Sequence, residues 1–253
     1  MINNKIYTKK LINNLFIILF SILLPTSVLA EIIVDFQTGP VFTGYNDVRI
    51  PGENGTKISL SDDLEAETAW SARAEAGYKL KRYYVGFLFS PLRVKSSGTL
   101  DKDVYFNGKT FDAGQELRAR FRFDSYRMMY RYTIYSDKIF TFGAGITGKI
   151  RDASIRLENS GVSTEKKNTG FVPLINFAFE INLPANYFLF FGGDALAAPQ
   201  GRAEDIALLG GYKINEVTRV KAGYRMLEGG ADNDEVYTFS MFHYAIIGID
   251  ALF

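Results

Sequence analysis

The chain of 253 residues has no cysteine, which excludes a disulfide framework, Cys-ligated zinc and a thiol nucleophile. It has one histidine, His243, so a metal site built on several imidazoles has no ligands. An excess of one charge is missing too. The 29 basic and 28 acidic side chains leave a net of +1, and without Lys5, Lys9 and Lys10, which share the first thirty residues with no acid, 26 basic groups face 28 acidic ones, a net of −2. That balance disfavours a nucleic-acid binder. No glycine-rich loop leads from a strand into a helix, so nucleotide use is unsupported. After Glu31 no run reaches 18 consecutive apolar residues, which leaves no place for a spanning helix.

The first thirty residues read as an address. Three lysines, an apolar run from Leu15 to Leu24 and the small-residue ending Val28-Leu29-Ala30 match a secretory signal peptide cleaved before Glu31. A transmembrane anchor is the competing reading, but the run is short and Pro25 interrupts it. Residues 31–253 then form a single exported domain.

What is present in excess is aromatic: 21 Phe and 15 Tyr. An exported chain without a membrane helix can span a bilayer only as a closed β-barrel, whose backbone is fully paired. Such a strand alternates between lipid and lumen at every residue. From Leu64 onward one set reads Leu64, Ala66, Thr68, Trp70, Ala72, Ala74, Ala76, Tyr78 and the other Glu65, Glu67, Ala69, Ser71, Arg73, Glu75, Gly77, Lys79. Extended along the chain, the pattern predicts ten strands at 32–45, 64–79, 83–95, 117–135, 139–156, 170–182, 187–197, 203–213, 217–227 and 236–253. Short turns at 80–82, 136–138, 183–186 and 214–216 alternate with mostly longer loops at 46–63, 96–116, 157–169, 198–202 and 228–235. The predicted fold is therefore all-β, an antiparallel up-and-down transmembrane barrel with both termini periplasmic. Eight strands, with 194–204 as a loop, is the alternative. A secreted lipocalin-like barrel is the fallback, though its apolar set should face inward.

With the apolar sets assigned to lipid, the lumen is expected to hold a charge network. Its predicted members are Glu65, Glu67, Arg73, Glu75, Arg118, Arg120, Arg122, Arg127, Arg131, Glu180, Arg219 and Arg225, with Asp194, Lys149, Arg151 and Lys221 beside them. In the fourth strand Arg127 and Arg131 are out of phase with Arg118, Arg120, Arg122 and Asp124, which predicts a bulge near Asp124 and Ser125. A narrow ten-stranded barrel filled in this way is expected to be plugged. An arginine ladder guiding small anionic solutes is the alternative.

Closure of the barrel brings the loop with Asp232, Asp234 and Glu235 near the loop with Asp62 and Asp63, a set of oxygens able to ligate Ca²⁺, although Gly, Asn and Asp are ordinary turn residues. No organic cofactor is indicated. Ser240 and His243 invite a hydrolase reading, but positions three apart on a strand face opposite sides.

The end of the chain, with Phe253 preceded alternately by Ala251, Ile249, Ile247 and Ala245, resembles the C-terminal assembly signal of bacterial outer-membrane proteins. That resemblance implies recognition by the barrel assembly machinery and contact with outer-membrane lipid and lipopolysaccharide. In size the chain is similar to the omptin proteases. Their pattern places an Asp two residues before a His; here that residue is Met241, so the proteolytic pattern is absent. The lipid A deacylase barrels carry a Ser two positions from a His, and His243 is followed there by Ala245. Asn46-Asp47-Val48-Arg49-Ile50-Pro51-Gly52, Phe123-Asp124-Ser125-Tyr126-Arg127, Ala197-Ala198-Pro199-Gln200-Gly201-Arg202 and Glu228-Gly229-Gly230-Ala231-Asp232 resemble segments of small outer-membrane β-barrel proteins of unassigned function. A monomeric, non-enzymatic envelope or surface protein is the expected role. A narrow channel is the second reading and a lipid-modifying enzyme the third.

Overall fold

A computed structural model describes residues 30–199 and 201–253. The predicted signal peptide lies outside them, apart from Ala30, which opens the first strand. The described residues form strands and connections without a helix: β1 (Ala30–Arg49), β2 (Ile58–Ser59), β3 (Glu65–Ala66), β4 (Ala69–Leu80), β5 (Tyr83–Thr99), β6 (Val104–Phe106), β7 (Lys109–Phe111), β8 (Glu116–Ser136), β9 (Phe140–Glu158), β10 (Ser163–Asn182), β11 (Tyr187–Ala198), β12 (Gly201–Lys213), β13 (Thr218–Asp232) and β14 (Tyr237–Leu252).

Ten of them build the wall, each antiparallel to the next, in the order β1, β4, β5, β8, β9, β10, β11, β12, β13, β14. The seam between β14 and β1 closes it, from Ile33 opposite Leu252 to Arg49 opposite Tyr237. This is the predicted ten-stranded barrel. The eight-stranded alternative fails because residues 194–198 pair with residues 201–205 as the ends of β11 and β12.

Strand β8 explains how the sequence makes both a membrane protein and a core. Tyr126, Met128 and Tyr130 are exposed on the outer face, whereas Ser125, Arg127 and Met129 are buried inside. Continuing toward the start of the strand, Leu117, Ala119 and Phe121 are buried and Arg118 and Arg120 exposed. From Leu117 to Tyr130 the inward parity is kept, and the register with β5 and β9 is unbroken at Asp124 and Ser125. The expected bulge there is absent; the irregularity in β8 falls between Thr133 and Tyr135.

What changes along the strand is the solvent outside. Between Tyr126 and Ile134 the outer face meets hydrocarbon, and about nine residues at about 3.3 Å, tilted by about 40°, cover roughly 23 Å, close to the apolar band of about 25 Å of outer-membrane barrels. Beyond Asp124 the outer face meets water, so charges turn outward and the inside is free to form an ordinary apolar core. The belt ends at the same level on the neighbours, at Arg93 on β5 and Asp152 on β9, which pair with Arg122 and Asp124.

That core also draws in the first two loops at this end of the barrel. Ile50, Ile58, Leu60 and Leu64 from one, and Val104, Phe106 and Phe111 from the other, pack with Val41, Leu92, Phe121 and Phe242 of the wall. The β6–β7 hairpin is tied down by Asn107 N to Ile50 O at 2.8 Å and by Asn107 Nδ2 to Thr164 Oγ1 at 2.9 Å. The opposite end carries only the short turns.

Candidate functional site

The interior of the membrane-embedded part is lined by paired charges. Arg127, fully buried on β8, donates to Asp194 Oδ2 on β11 at 2.7 Å and to Asp205 on β12. Asp205 also receives Arg225 from β13, while Asp194 accepts from Asn176 Nδ2 at 2.8 Å and from Thr147 Oγ1 at 2.5 Å. Nearer the turns, Arg219 binds Glu180 at 3.0 Å and Asp250 at 2.5 Å, and Lys221 joins Asp35 and Asp250. On the facing wall Tyr84 donates to Glu75 at 2.6 Å. Its ring can lie flat against the wall because Gly77 and Gly86 stand beneath it; a Cβ on either would approach the ring to 2.4 Å and 2.8 Å.

Each of these charges has a partner, which buried ions require, since an unpaired one costs several kcal/mol. Together they divide the interior. A cavity of about 490 Å³ lies on the turn side, lined by Glu31, Asp35, Arg73, Glu75, Glu180 and Arg219 among others. A second, of about 890 Å³, lies on the loop side, lined by Phe121, Phe123, Ile155, Leu196, Leu227 and Phe242 among others. The two share no lining residue. Between them run Arg127 and its partners, with Tyr244 beside Arg225 at 4.8 Å.

The loop-side cavity reaches the outside through the wall. Strand β10 pairs with β9 along its whole length but with β11 only from Ile175 to Asn182. The two strands part at Ile175 and Ala195, where Pro173 has no N–H to offer a neighbour. Residues 163–174 of β10 thus border a window, whose upper edge is spanned by Lys166 and Glu235 at 3.3 Å. Phe171, Val172, Pro173, Leu196 and Ala198 form its lower corner.

The structure brings Arg73, Glu75, Arg127, Arg131, Glu180, Arg219 and Arg225 into the interior, joined by Asp194 and Lys221. Lys149 and Arg151 also face inward, into the loop-side cavity, but Arg118, Arg120, Arg122, Glu65 and Glu67 do not. Arg118, Arg120 and Arg122 face outward above the belt, where Arg118 meets Glu116 at 2.8 Å and Arg122 meets Asp152 at 2.7 Å. Glu65 and Glu67 are also exposed, because the phase change expected in β8 occurs instead between β3 and β4: Leu64 and Ala66 point in, and so do Ser71, Arg73 and Glu75. The sequence holds little sign of Asp205, the shared acceptor of two arginines, beyond a charge on the inward parity of an apolar strand.

The calcium candidates do not converge. Among the described residues no three acidic or imidazole side chains are grouped as a metal site. Asp63 accepts from Ser59 N at 2.8 Å and Glu235 is engaged by Lys166. His243 lies on the outer face, its Nδ1 2.6 Å from the Tyr224 hydroxyl, while Ser240 is buried on the opposite face. Phe253 closes the seam through two 2.8 Å backbone bonds with Ile32.

No protein-family model and no curated protein sequence matches the chain. Among solved structures it is similar to the outer membrane protease OmpT from Escherichia coli, with 9% identity over 90% of this chain and 99% of that one and a TM-score of 0.62. The translocator domain of the autotransporter NalP from Neisseria meningitidis is similar at 13% identity, 97% and 95% coverage and a TM-score of 0.45. Ail of Yersinia pestis follows at 9%, 88% and 99%, with 0.41. The likeness to OmpT is one of fold, and at this identity it carries no protease activity across. A closed barrel with a continuous apolar belt is an outer-membrane protein, since lipid leaves no other use for such a surface.

Proposed function

We propose that the protein is a monomeric, non-conducting and non-enzymatic barrel that works at the surface of the outer membrane through its capped loop end. In this reading both chain termini and the short turns face the periplasm, and the loops face outward, as in outer-membrane barrels generally. The observation that carries it is the tie from Arg127 to Asp194 and Asp205, which separates the turn-side cavity from the loop-side one. The position of His243 on the lipid face, bonded to Tyr224 and away from Ser240, supports the non-enzymatic part. Phe253, at the end of the closing strand, is proposed to serve the assembly machinery.

Planar-bilayer recording of the purified protein tests the reading directly. No stable current is expected, and a reproducible anion-selective current would replace it with the channel reading. On gels the unboiled protein should migrate faster than the boiled one.

A further inference from the structure

The loop-side cavity holds a buried lysine that makes no ion pair among the described residues. Lys149, on the inward face of β9, is 3% exposed, and among the described residues it has no ion pair or hydrogen bond; its ammonium lies over the Phe123 ring at 4.8 Å. Two residues on, Arg151 also faces the cavity; among the described residues its partner is Asn168, and its Nε is buried without a bond. Elsewhere in the lining the charges are matched: Lys166 with Glu235, and Arg202 with Glu228 at 2.8 Å. Asp234 is the remaining acid at the cavity. Among the described residues the other fully buried bases meet carboxylates, Arg127 two and Arg225 one. Lys149 stands out because burying an ammonium is unfavourable unless an anion joins it.

Much of the rest of the lining is apolar, and the cavity opens sideways. Phe121, Phe123, Ile155, Leu196, Leu227 and Phe242 line a volume of about 890 Å³, within the range of about 300–1,000 Å³ usual for small-molecule sites. Its window between β10 and β11 has Phe171 at the corner, 70% exposed on the outer face. Phe171 pairs with Ile150, the last apolar residue of β9 before Asp152, so the window opens at the rim of the lipid belt.

We propose that this cavity binds a single-chain anionic amphiphile, which enters through the window with its apolar chain against Phe121, Leu196 and Phe242 and its acidic head at Lys149 and Arg151. The chemistry of the site asks for one negative head and one flexible apolar tail. A free long-chain carboxylate and a lysolipid of the bilayer both have it. The inference goes beyond the sealing of the lumen: a conducting barrel would still have the pocket, and a sealed one would not need it.

The test uses the full barrel in nanodiscs of neutral phosphatidylcholine and the fluorescent fatty acid cis-parinaric acid, with its methyl ester as the uncharged control. The acid is expected to bind at least tenfold more tightly than the ester. Lys149→Gln should remove that preference, Lys149→Arg should keep it, and Ala203→Phe, which fills the pocket, should weaken both probes. Heat-modifiable migration of each variant confirms the fold. Displacement of the probe by lysophosphatidylglycerol would assign the head to a membrane lipid, and failure to displace it would assign a free carboxylate; either supports the site. Equal binding of acid and ester, or an acid affinity unchanged in Lys149→Gln, would reduce Lys149 to a partner of the Phe123 ring and overturn the proposal.

Discussion

Arg127 Nη1 stands 2.7 Å from Asp194 Oδ2, although β8 and β11 are separated in the wall by β9 and β10. The bond runs through the interior and fixes the distance between strands three apart in the wall. Asp205 completes it by accepting from Arg127 and Arg225 together. Asp205→Asn strands part of two buried guanidinium charges, and a loss of about 3–5 kcal/mol is expected in urea unfolding from phospholipid vesicles. Arg118→Gln, which touches only an exposed Glu116 outside the barrel, should leave the unfolding midpoint unchanged.

Placement of the belt makes a second test. Met128 is 67% exposed on the outer face of β8, within the lipid zone. Met128→Arg should cost about 1–3 kcal/mol, between the cost of a cation at the midplane and that near the interface. Thr169→Arg, also exposed but above the belt on β10, should stay within about 0.5 kcal/mol. Equal costs would mean that the belt has been placed wrongly.

The cap over the loop end can be loosened without opening the wall. Phe106 is fully buried among residues of both loops and the upper barrel. Phe106→Ala should destabilise the cap by about 3–5 kcal/mol. Limited proteolysis should then cut within residues 100–115, while the gel shift between boiled and unboiled protein persists.

His243 offers a check on enzymatic activity. Its ring is stacked on Tyr224, with centroids 5.9 Å apart, on the face turned to lipid. His243→Phe is expected to leave the mass spectrum of lipid A from expressing cells unchanged. A changed spectrum would reinstate the lipid-modifying reading.

One pH effect follows from the turn between β8 and β9. The backbone N–H of Phe140, the hydroxyl of Tyr135 and the backbone N–H of Ile139 all donate to Asp137, and they hold its carboxyl below the ordinary carboxylate range. A depressed value in the folded state means that the ionised group stabilises the turn above the unfolded pKa of about 4 and that this is lost as pH falls through the folded value. Asp137→Ala should therefore melt lower than the parent at pH 7, and the two should converge in acid.

The strand count was legible because alternation is a local property: residues 69–80 announce a two-faced strand without knowledge of any neighbour. Which face points inward is not local. Arg118, Arg120 and Arg122 alternate as lumenal residues would if one face of β8 pointed inward with one meaning along its whole length, whereas that meaning reverses where the bilayer ends. The opposite set, Leu117, Ala119, Phe121 and Phe123, carried the correction in plain view, as an apolar face too near the strand end to touch hydrocarbon. The pairing of Arg127 with Asp205 was beyond reach, since residues 78 apart meet only once the register of five strands is set. The window was hidden too, for it arises from the unequal lengths of β10 and β11.

That inequality leaves residues 163–174 of β10 with one side unpaired, a ready template for another strand in a crowded membrane. Glu165, Lys166 and Lys167 lie along its outer part and Pro173 stands at its foot. Two barrels approaching edge to edge would have to bury charged side chains and would find no N–H at the proline. The same residues that border the window therefore make its edge a poor template for a neighbour's strand.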